Sequence, residues 1–347
     1  MLAPHNWLEN PSTRDQFFNA ELSDDDMMQA LNSLTSDNVN KDILSLIFTT
    51  LWNMQTPDLP ALTFDPLDPP HFIDTCGTGG SGRAGYNTST TVAFVLAAMG
   101  VPVLKFGNRA ASSPSGSFDF LTALGLPANP TPDWSVRCFN KTRLGFLMAP
   151  SVYPQLAKLA PFRKRVGKPT IFNYLGPLLH PYQPTHRLLG CSSADMLPLL
   201  ADHISQQENN VSSLLIRSES GVDEALPDES YQAISVLGAG SLREGESGVS
   251  AREQGHDIHE PPISPRGEGT FSAEENVAFF RALIHPDTTR TVDAYTREQV
   301  LLNAALGLNL WEPDISVEHA LVTLESALLC GRVLRFVERF MDVSLAL

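Results

Sequence analysis

The chain has 347 residues, 42% of them hydrophobic, which is ample for a large core and, by length, for two domains. Its formal charge of -15 argues against a general nucleic-acid binder or a membrane-surface protein, and no apolar run reaches the length of a membrane span. Four cysteines, Cys76, Cys138, Cys191 and Cys330, stand far apart, which points to reduced thiols in a cytoplasmic protein, with neither a zinc site nor a disulfide framework.

Residues 1–22 read as a loosely structured, acidic and polar lead-in without signal-peptide character. Ser23 followed by Asp26 opens a capped helix through Met27, Met28 and Leu31, and Lys41–Trp52 forms a second with a mostly apolar face. A Pro-rich connector from Pro57 to Pro70 marks a boundary. Strands then alternate with helices. The expected strands are His71–Cys76, Val101–Lys105, Gly145–Met148, Leu188–Cys191 and Leu214–Arg217. The expected helices are Ser89–Met99, Ser117–Leu124, Tyr153–Val166 and Asp195–Gln206. Such alternation implies a mainly parallel sheet. Residues 231–270 suggest strands joined by irregular loops. Ser272 with Glu275 opens a further helix, and two more close the chain.

The stretch Asp74–Asp119 carries the chemistry. Gly77, Gly79, Gly80 and Gly82 lie between a strand and a helix, where backbone without Cβ atoms can bring several N–H groups to a phosphate. The next helix starts near Asn87–Ser89, so its first amides also favour an anion. A second donor-rich loop holds Ser112, Ser113, Ser115, Gly116 and Ser117. Between Ser81 and Phe118 there is no acidic residue, while Arg83, Lys105 and Arg109 are basic, which suggests a ligand with more than one phosphate. The alternative is that the glycines only make turns. Gly77, Gly79 and Gly82 also fit G-x-G-x-x-G, but no acidic residue follows at the distance a dinucleotide ribose requires, and no G-K-[ST] ending marks a P-loop.

The segments GTGGSG, YNTST, KFGNR and SSPSGSFD resemble those of the anthranilate phosphoribosyltransferases, whose usual forms read close to GTGGDG, FNIST, KHGNR and SSKSGSAD. The likeness continues in GFLMAP at 145–150, in APFRKRVGKPTIFNYLGPL at 160–178, in VDEA at 222–225 and in LLNAAL at 301–306, and covers roughly residues 22–340. It implies a nucleoside phosphorylase-like transferase fold with a small all-helical domain and a larger α/β domain. The helical domain would take residues 1–65 and roughly 165–185, and the α/β domain 70–164 and 186–347. It also implies a homodimer formed through the helical domain, for which Met27, Leu31, Leu46 and Ile47 offer apolar packing surface, unless they form that domain's own core.

The family moves phosphoribose from phosphoribosyl pyrophosphate (PRPP) to the amine of anthranilate, releasing pyrophosphate with Mg²⁺. Carried over, the resemblance places Gly77, Gly79, Gly80, Asn87, Ser89, Thr90, Lys105, Asn108 and Ser117 on PRPP. It places Ser89, Asp223 and Glu224 on the metal, a set of hard oxygens that suits Mg²⁺. Arg163 would face the carboxylate of a small aromatic acceptor, with Asn108, Pro150 and Gly176 around it. Taken singly, Asp223-Glu224 reads as a solvated acidic turn and Arg163 as a surface arginine. Loop histidines are the reading for His180 and His186.

Four positions depart from the family pattern. Ser81 replaces an Asp and Pro114 a basic residue on the donor side; Phe106 and Tyr153 each replace a His on the acceptor side. Losing two imidazoles removes potential proton acceptors, so the expectation is a different aromatic acceptor, or anthranilate bound in altered fashion. A pyrimidine nucleoside phosphorylase on the same fold and a non-catalytic binding protein are the competing readings. The first should carry a different acceptor pattern from KFGNRAASSPSG, and the second predicts erosion of the phosphate loop or the acidic pair.

Overall fold

The computed structural model describes residues 6–56, 58–63, 70–80, 85–110, 115–207, 211–237, 252–256 (backbone only), 271–287 and 293–347. Half of the Pro-rich connector lies outside them, as do Ser81, Gly82, Arg83, Ser112, Ser113 and Pro114.

The lead-in is helical, contrary to expectation. Helix α1 spans Asn6–Glu9 and α2 Pro11–Phe18, where the Asn10 side chain accepts from the Ser12 and Thr13 amides. Trp7, Phe17 and Phe18 are buried, so tertiary packing orders a segment that is weakly amphipathic on its own. Helix α3, Asp24–Ser33, starts where the Ser23 hydroxyl accepts from Asp26 N–H, and α4 is Lys41–Trp52, capped by Asn40. Then follow β1 (Ile73–Gly77), α5 (Thr88–Ala98), β2 (Val103–Gly107) and α6 (Ser117–Leu124). Helix α7, Pro132–Thr142, was not expected; Thr131 caps it and Pro132 supplies a preset φ in its first turn. Next come β3 (Leu144–Met148), α8 (Ala149–Val152), α9 (Pro154–Val166), α10 (Ile171–Leu175), β4 (His186–Gly190), α11 (Met196–Ser205), β5 (Ser212–Ser218), β6 (Tyr231–Leu237) and β7 (Arg252–His256). Helix α12, Ala273–Leu283, has the expected Ser272–Glu275 capping box. Three helices rather than two then close the chain: α13 (Ala294–Trp311), α14 (Val317–Leu329) and α15 (Arg332–Leu345). The left-handed Gly331, φ 71°, separates the last two.

The sheet order is β3-β2-β1-β4-β5-β6-β7. The first five are parallel and the last two join antiparallel, so the sheet is mainly parallel as expected. Alternation along the strands divides the core. Phe146, Leu188, Leu214 and Ile216 face a layer built on α5, α12, α13 and α15. Leu147, Leu189 and Leu215 face the layer of α1–α4 and α8–α11. In that second layer α9 packs on α2 and α3, while α10 and α11 pack on α4. Met27, Leu31 and Ile47 are fully buried there, so they serve the chain's own core; of the four named residues only Leu46 keeps exposed surface.

His180 is not a solvated loop histidine. It is wholly buried; Nδ1 accepts from Tyr182 N–H, which leaves the proton on Nε2 to be donated to the Leu104 carbonyl at 3.0 Å. Burial pushes its pKa down to about 3, and that of buried His203 down to about 4. Both rings stay neutral in the fold while the unfolded chain takes up protons near pH 6.5, so stability is full above that pH and is lost as pH falls toward 4. Each ring accounts for on the order of 3 kcal/mol. Melting temperature should fall steeply between pH 6.5 and 4, and His203→Phe should flatten the slope; an unaltered slope in that variant contradicts the assignment.

Candidate active site

The chain leaves β1 for β2 and β3 on one side and later for β4 and β5 on the other, so the carboxyl ends of β1 and β4 flank a switch of direction. Such points are where open parallel sheets bind ligands. A cleft of ≈ 530 Å³ opens there. Most of the residues singled out from the sequence line it: Gly77, Gly79, Gly80, Asn87, Ser89, Lys105, Phe106, Asn108, Ser117, Arg163, Gly176, Asp223 and Glu224.

The floor is an acidic segment laid across two glycines. A Cβ on Gly77 would strike the Asp223 carboxylate, and one on Gly190 would overlap the Asp223 carbonyl. With both side chains absent, Asp223 Oδ2 accepts from Gly79 N–H at 2.8 Å. Gly79 and Gly80 hold φ of +60° and +79°, the left-handed region that glycine adopts without penalty. Burial raises the pKa of Asp223, against the pull of the Gly79 N–H. Burial raises that of Glu224 well above the ordinary carboxylate range, and the neighbouring Asp223 charge adds to it.

Helix α13 restrains this segment from below. Gln299 Nε2 donates to Glu224 Oε2 and, at 3.1 Å, to Thr88 Oγ1. One turn on, Asn303 exchanges two bonds with the Ala225 backbone, at 2.8 and 3.1 Å. Two desolvated carboxylates side by side repel each other, and a bound dication relieves that cost. Their oxygens with the Ser89 hydroxyl form a hard, all-oxygen set in the same cleft, which fits Mg²⁺ and is unlike a zinc site.

Lys105 is buried beneath the cleft, donating to the Thr75 carbonyl and, at 3.2 Å, to Ser89 Oγ. Burial lowers its pKa, and the Asp74, Glu224 and Asp223 carboxylates oppose the shift. The Asn87 amide donates to Ser115 Oγ at 2.9 Å and its backbone N–H to Asn276 Oδ1 at 2.8 Å, tying the start of α5 to the second loop. Arg109 lines the cleft, but its charge is engaged by Asp119 at 3.0 Å and by the Ala128 carbonyl at 2.7 Å. The same Asp119 accepts from Ala110 and Gly116 N–H, so the acid just past the basic stretch organises the loop.

On the opposite wall, Arg163 Nη2 donates to Asn173 Oδ1 at 3.2 Å and its guanidinium lies 5.5 Å from the Phe172 ring centre. Burial lowers its pKa to about 10, which leaves it charged at neutral pH. Phe106 presents its ring to the cleft while its N–H donates to Asp74 Oδ1 at 3.1 Å.

Three expected site residues lie outside the cleft. Thr90 points from α5 into the core, with Oγ1 buried and unbonded. Pro150 is replaced on the cleft wall by Ala149 beside it. Tyr153 is wholly buried behind Phe106, edge-on at 6.2 Å, its hydroxyl without a partner and its pKa raised by burial. Conversely, Gln299, Asn173, Tyr295, Thr296 and Phe271 line the cleft unforeseen. The signal for Gln299 and Asn303 was present: two amides one helical turn apart within an otherwise apolar run.

A family model described as "Glycosyl transferase family, a/b domain" matches residues 69–333. An anthranilate phosphoribosyltransferase of Prochlorococcus marinus strain NATL1A is 35% identical over 304 residues, covering 85% of this chain and 82% of its own. That of Bordetella pertussis is 34% identical over 286 residues, 82% and 78% of the two chains. Among solved structures, the Saccharomyces cerevisiae anthranilate phosphoribosyltransferase in complex with PRPP and Mg superposes with a TM-score of 0.77 at 20% identity, over 100% of this chain and 94% of that one. The Thermus thermophilus enzyme gives 0.73 at 24% identity, over 99% and 96%. The likeness in fold thus runs the length of the molecule, and with relatives above 30% identity over most of both chains, the chain is an enzyme of the anthranilate phosphoribosyltransferase family.

Proposed function

We propose that this enzyme transfers the 5-phosphoribosyl group of PRPP to the amine of a small aromatic acceptor, with Mg²⁺ and release of pyrophosphate. The observation that carries the reading is the bond between the half-buried Asp223 carboxylate and the Gly79 N–H of the phosphate loop. A phosphate that needs that N–H must displace the carboxylate, and the freed carboxylate then needs a cation. Donor and metal binding are thereby coupled. A nucleoside phosphorylase, which takes phosphate alone, has less use for such an exchange. A binding protein has no need of a desolvated acidic pair.

In this reading Gly79, Gly80, Asn87 and the first amides of α5 hold the phosphates, with Lys105 as the buried countercharge. Asp223, Glu224 and Ser89 would hold Mg²⁺, which when bound neutralises charge on the departing pyrophosphate. Arg163 and Phe106 orient the acceptor so that its nitrogen lone pair meets the anomeric carbon. The new C–N bond forms as the bond from carbon to the pyrophosphate oxygen breaks, that oxygen keeps the electron pair, and the amine then sheds a proton. No histidine lines the cleft among the described residues, so the residues in place act by position and charge.

The acceptor itself differs from anthranilate. Phe106 offers an apolar ring where an imidazole would be, while Arg163 retains the demand for an anionic group. Tyr153 acts only through Phe106, which it backs. The helical layer serves as a second domain and carries the contact of a homodimer, using α4 surface such as Ile43 and Leu46.

Three outcomes are expected. Asp223→Asn with Glu224→Gln should keep its fold yet lose roughly a hundredfold or more in turnover, since even outer-shell changes at metal sites cost ten- to a hundredfold. Calorimetry of PRPP in that variant should show no gain from added Mg²⁺; an undiminished gain removes the metal assignment. Lys105→Met should raise KM for PRPP by about ten- to a hundredfold, the worth of a charged hydrogen bond, and a wild-type KM would place the donor elsewhere. Phe106→His should raise anthranilate turnover from a low wild-type level. A wild-type kcat/KM for anthranilate of ~10⁴ M⁻¹s⁻¹ or above is ordinary for an enzyme and would overturn the altered acceptor.

A further inference from the structure

A second cavity of ≈ 230 Å³ lies at the other end of β4 from the active site. Phe48 and Trp52 of α4, Leu178, His180 and Gln183 from the segment before β4, Arg187 of β4 and Gln207 after α11 line it. Arg187 is the second residue of β4, whereas the active site begins where that strand ends at Gly190.

Arg187 is only 2% exposed, and its Nε and Nη1 find no hydrogen-bond acceptor. Its neighbour across the strands is Asp74, whose Oδ1 is engaged by Phe106 N–H and whose Oδ2 is unbonded. The two charges attract through space without meeting. Lys105, on the other face of the sheet, also draws on Asp74, so this carboxylate is shared between two buried cations. A guanidinium does not give up its proton, and holding it in the interior with unmet N–H groups costs several kcal/mol. Among the described residues that line the cavity, no other supplies a charge to match it. Both nitrogens of His180 are committed, and burial keeps that ring neutral.

We infer that this cavity binds a small carboxylate carrying one flat ring, with the carboxylate on Arg187 and the ring against Phe48 and Trp52. The two aromatic rings lie 5.7 Å apart at 22°, a stacked pair that offers a flat apolar wall. The Gln183 and Gln207 carboxamides stand at the more exposed rim. The volume is below the range typical of nucleotide-sized ligands and suits a single ring. The site is independent of the reading of the active site, although its wall residue His180 is also 5.6 Å from the Phe106 ring.

The test is calorimetric titration of the full chain with benzoate, benzamide and inorganic phosphate. Because Arg163 could also attract benzoate, the titration is run in Arg163→Met, which isolates the second cavity. Benzoate should still bind in that background, at least about tenfold tighter than benzamide, the worth of one charge-assisted pair. Adding Arg187→Met should weaken benzoate about tenfold or more, and Trp52→Leu, at a half-exposed position, should weaken benzoate and benzamide alike. Should Arg187→Met fail to fold, the benzoate-to-benzamide ratio and the Trp52→Leu result decide. Loss of all benzoate binding in Arg163→Met, equal binding of benzamide, or phosphate binding that is as tight as that of benzoate and is lost in Arg187→Met would each overturn the proposal.

Discussion

The donor side of this enzyme turns on one hydrogen bond between a carboxylate and a backbone amide. Asp223 reaches Gly79 N–H only because Gly77 and Gly190, at the ends of neighbouring strands, have no side chains where the acidic segment crosses them. This arrangement is internally satisfied: the amide has an acceptor and the carboxylate a donor. A ligand that takes the amide has to exchange partners with the carboxylate, and the free energy it gains is the difference between two good arrangements. Specificity follows from the same constraint, because a ligand that fills only half of the exchange leaves a buried group unbonded.

The acceptor wall follows a different logic. Phe106, His180 and Tyr153 form an aromatic cluster of edge-on and tilted rings in which only the first ring meets the cleft. An imidazole is present in that cluster, yet it is turned to the Leu104 carbonyl and is kept neutral by burial. The ring that meets the cleft on this wall is therefore apolar and carries no titrating proton, while Arg163 lines the opposite wall and Arg109 is held by Asp119.

Where hydrophobic period and capping coincided, the elements were legible in the sequence: α4 and α6 run as read, residue for residue. Helices α1 and α2 were not, because their order comes from packing of Trp7, Phe17 and Phe18 against other elements, a term that no local window contains; α7, by contrast, carries local signals in its Thr131 cap, Pro132 and apolar face. The meeting of the glycine loop, Lys105 and the acidic pair in one cleft was legible because such residue types in that order are rare outside the motif series. Thr90, Pro150 and Tyr153 show the limit of reading by motif. A motif fixes position in the chain, but one step along a helix turns a side chain by about 100°, enough to move it from cleft to core. Gln299 escaped notice for a related reason: α13 is buried on nearly all sides, so no polar stripe distinguished the edge that faces the site.

Helix α13 also has a consequence for the order in which the molecule is made. Its leucines and alanines belong to the main core while Gln299 and Asn303 hold Glu224 and the Ala225 backbone. On the ribosome, the strands, the glycine loop and the acidic segment all emerge before residue 294, the start of α13. Until then Glu224 lacks the amide that fixes it, and the sheet face that α13 covers is open to water or to a chaperone. The glycine loop is therefore encoded early and the acidic pair is fixed late, so the cleft reaches its final geometry only once the core is closed.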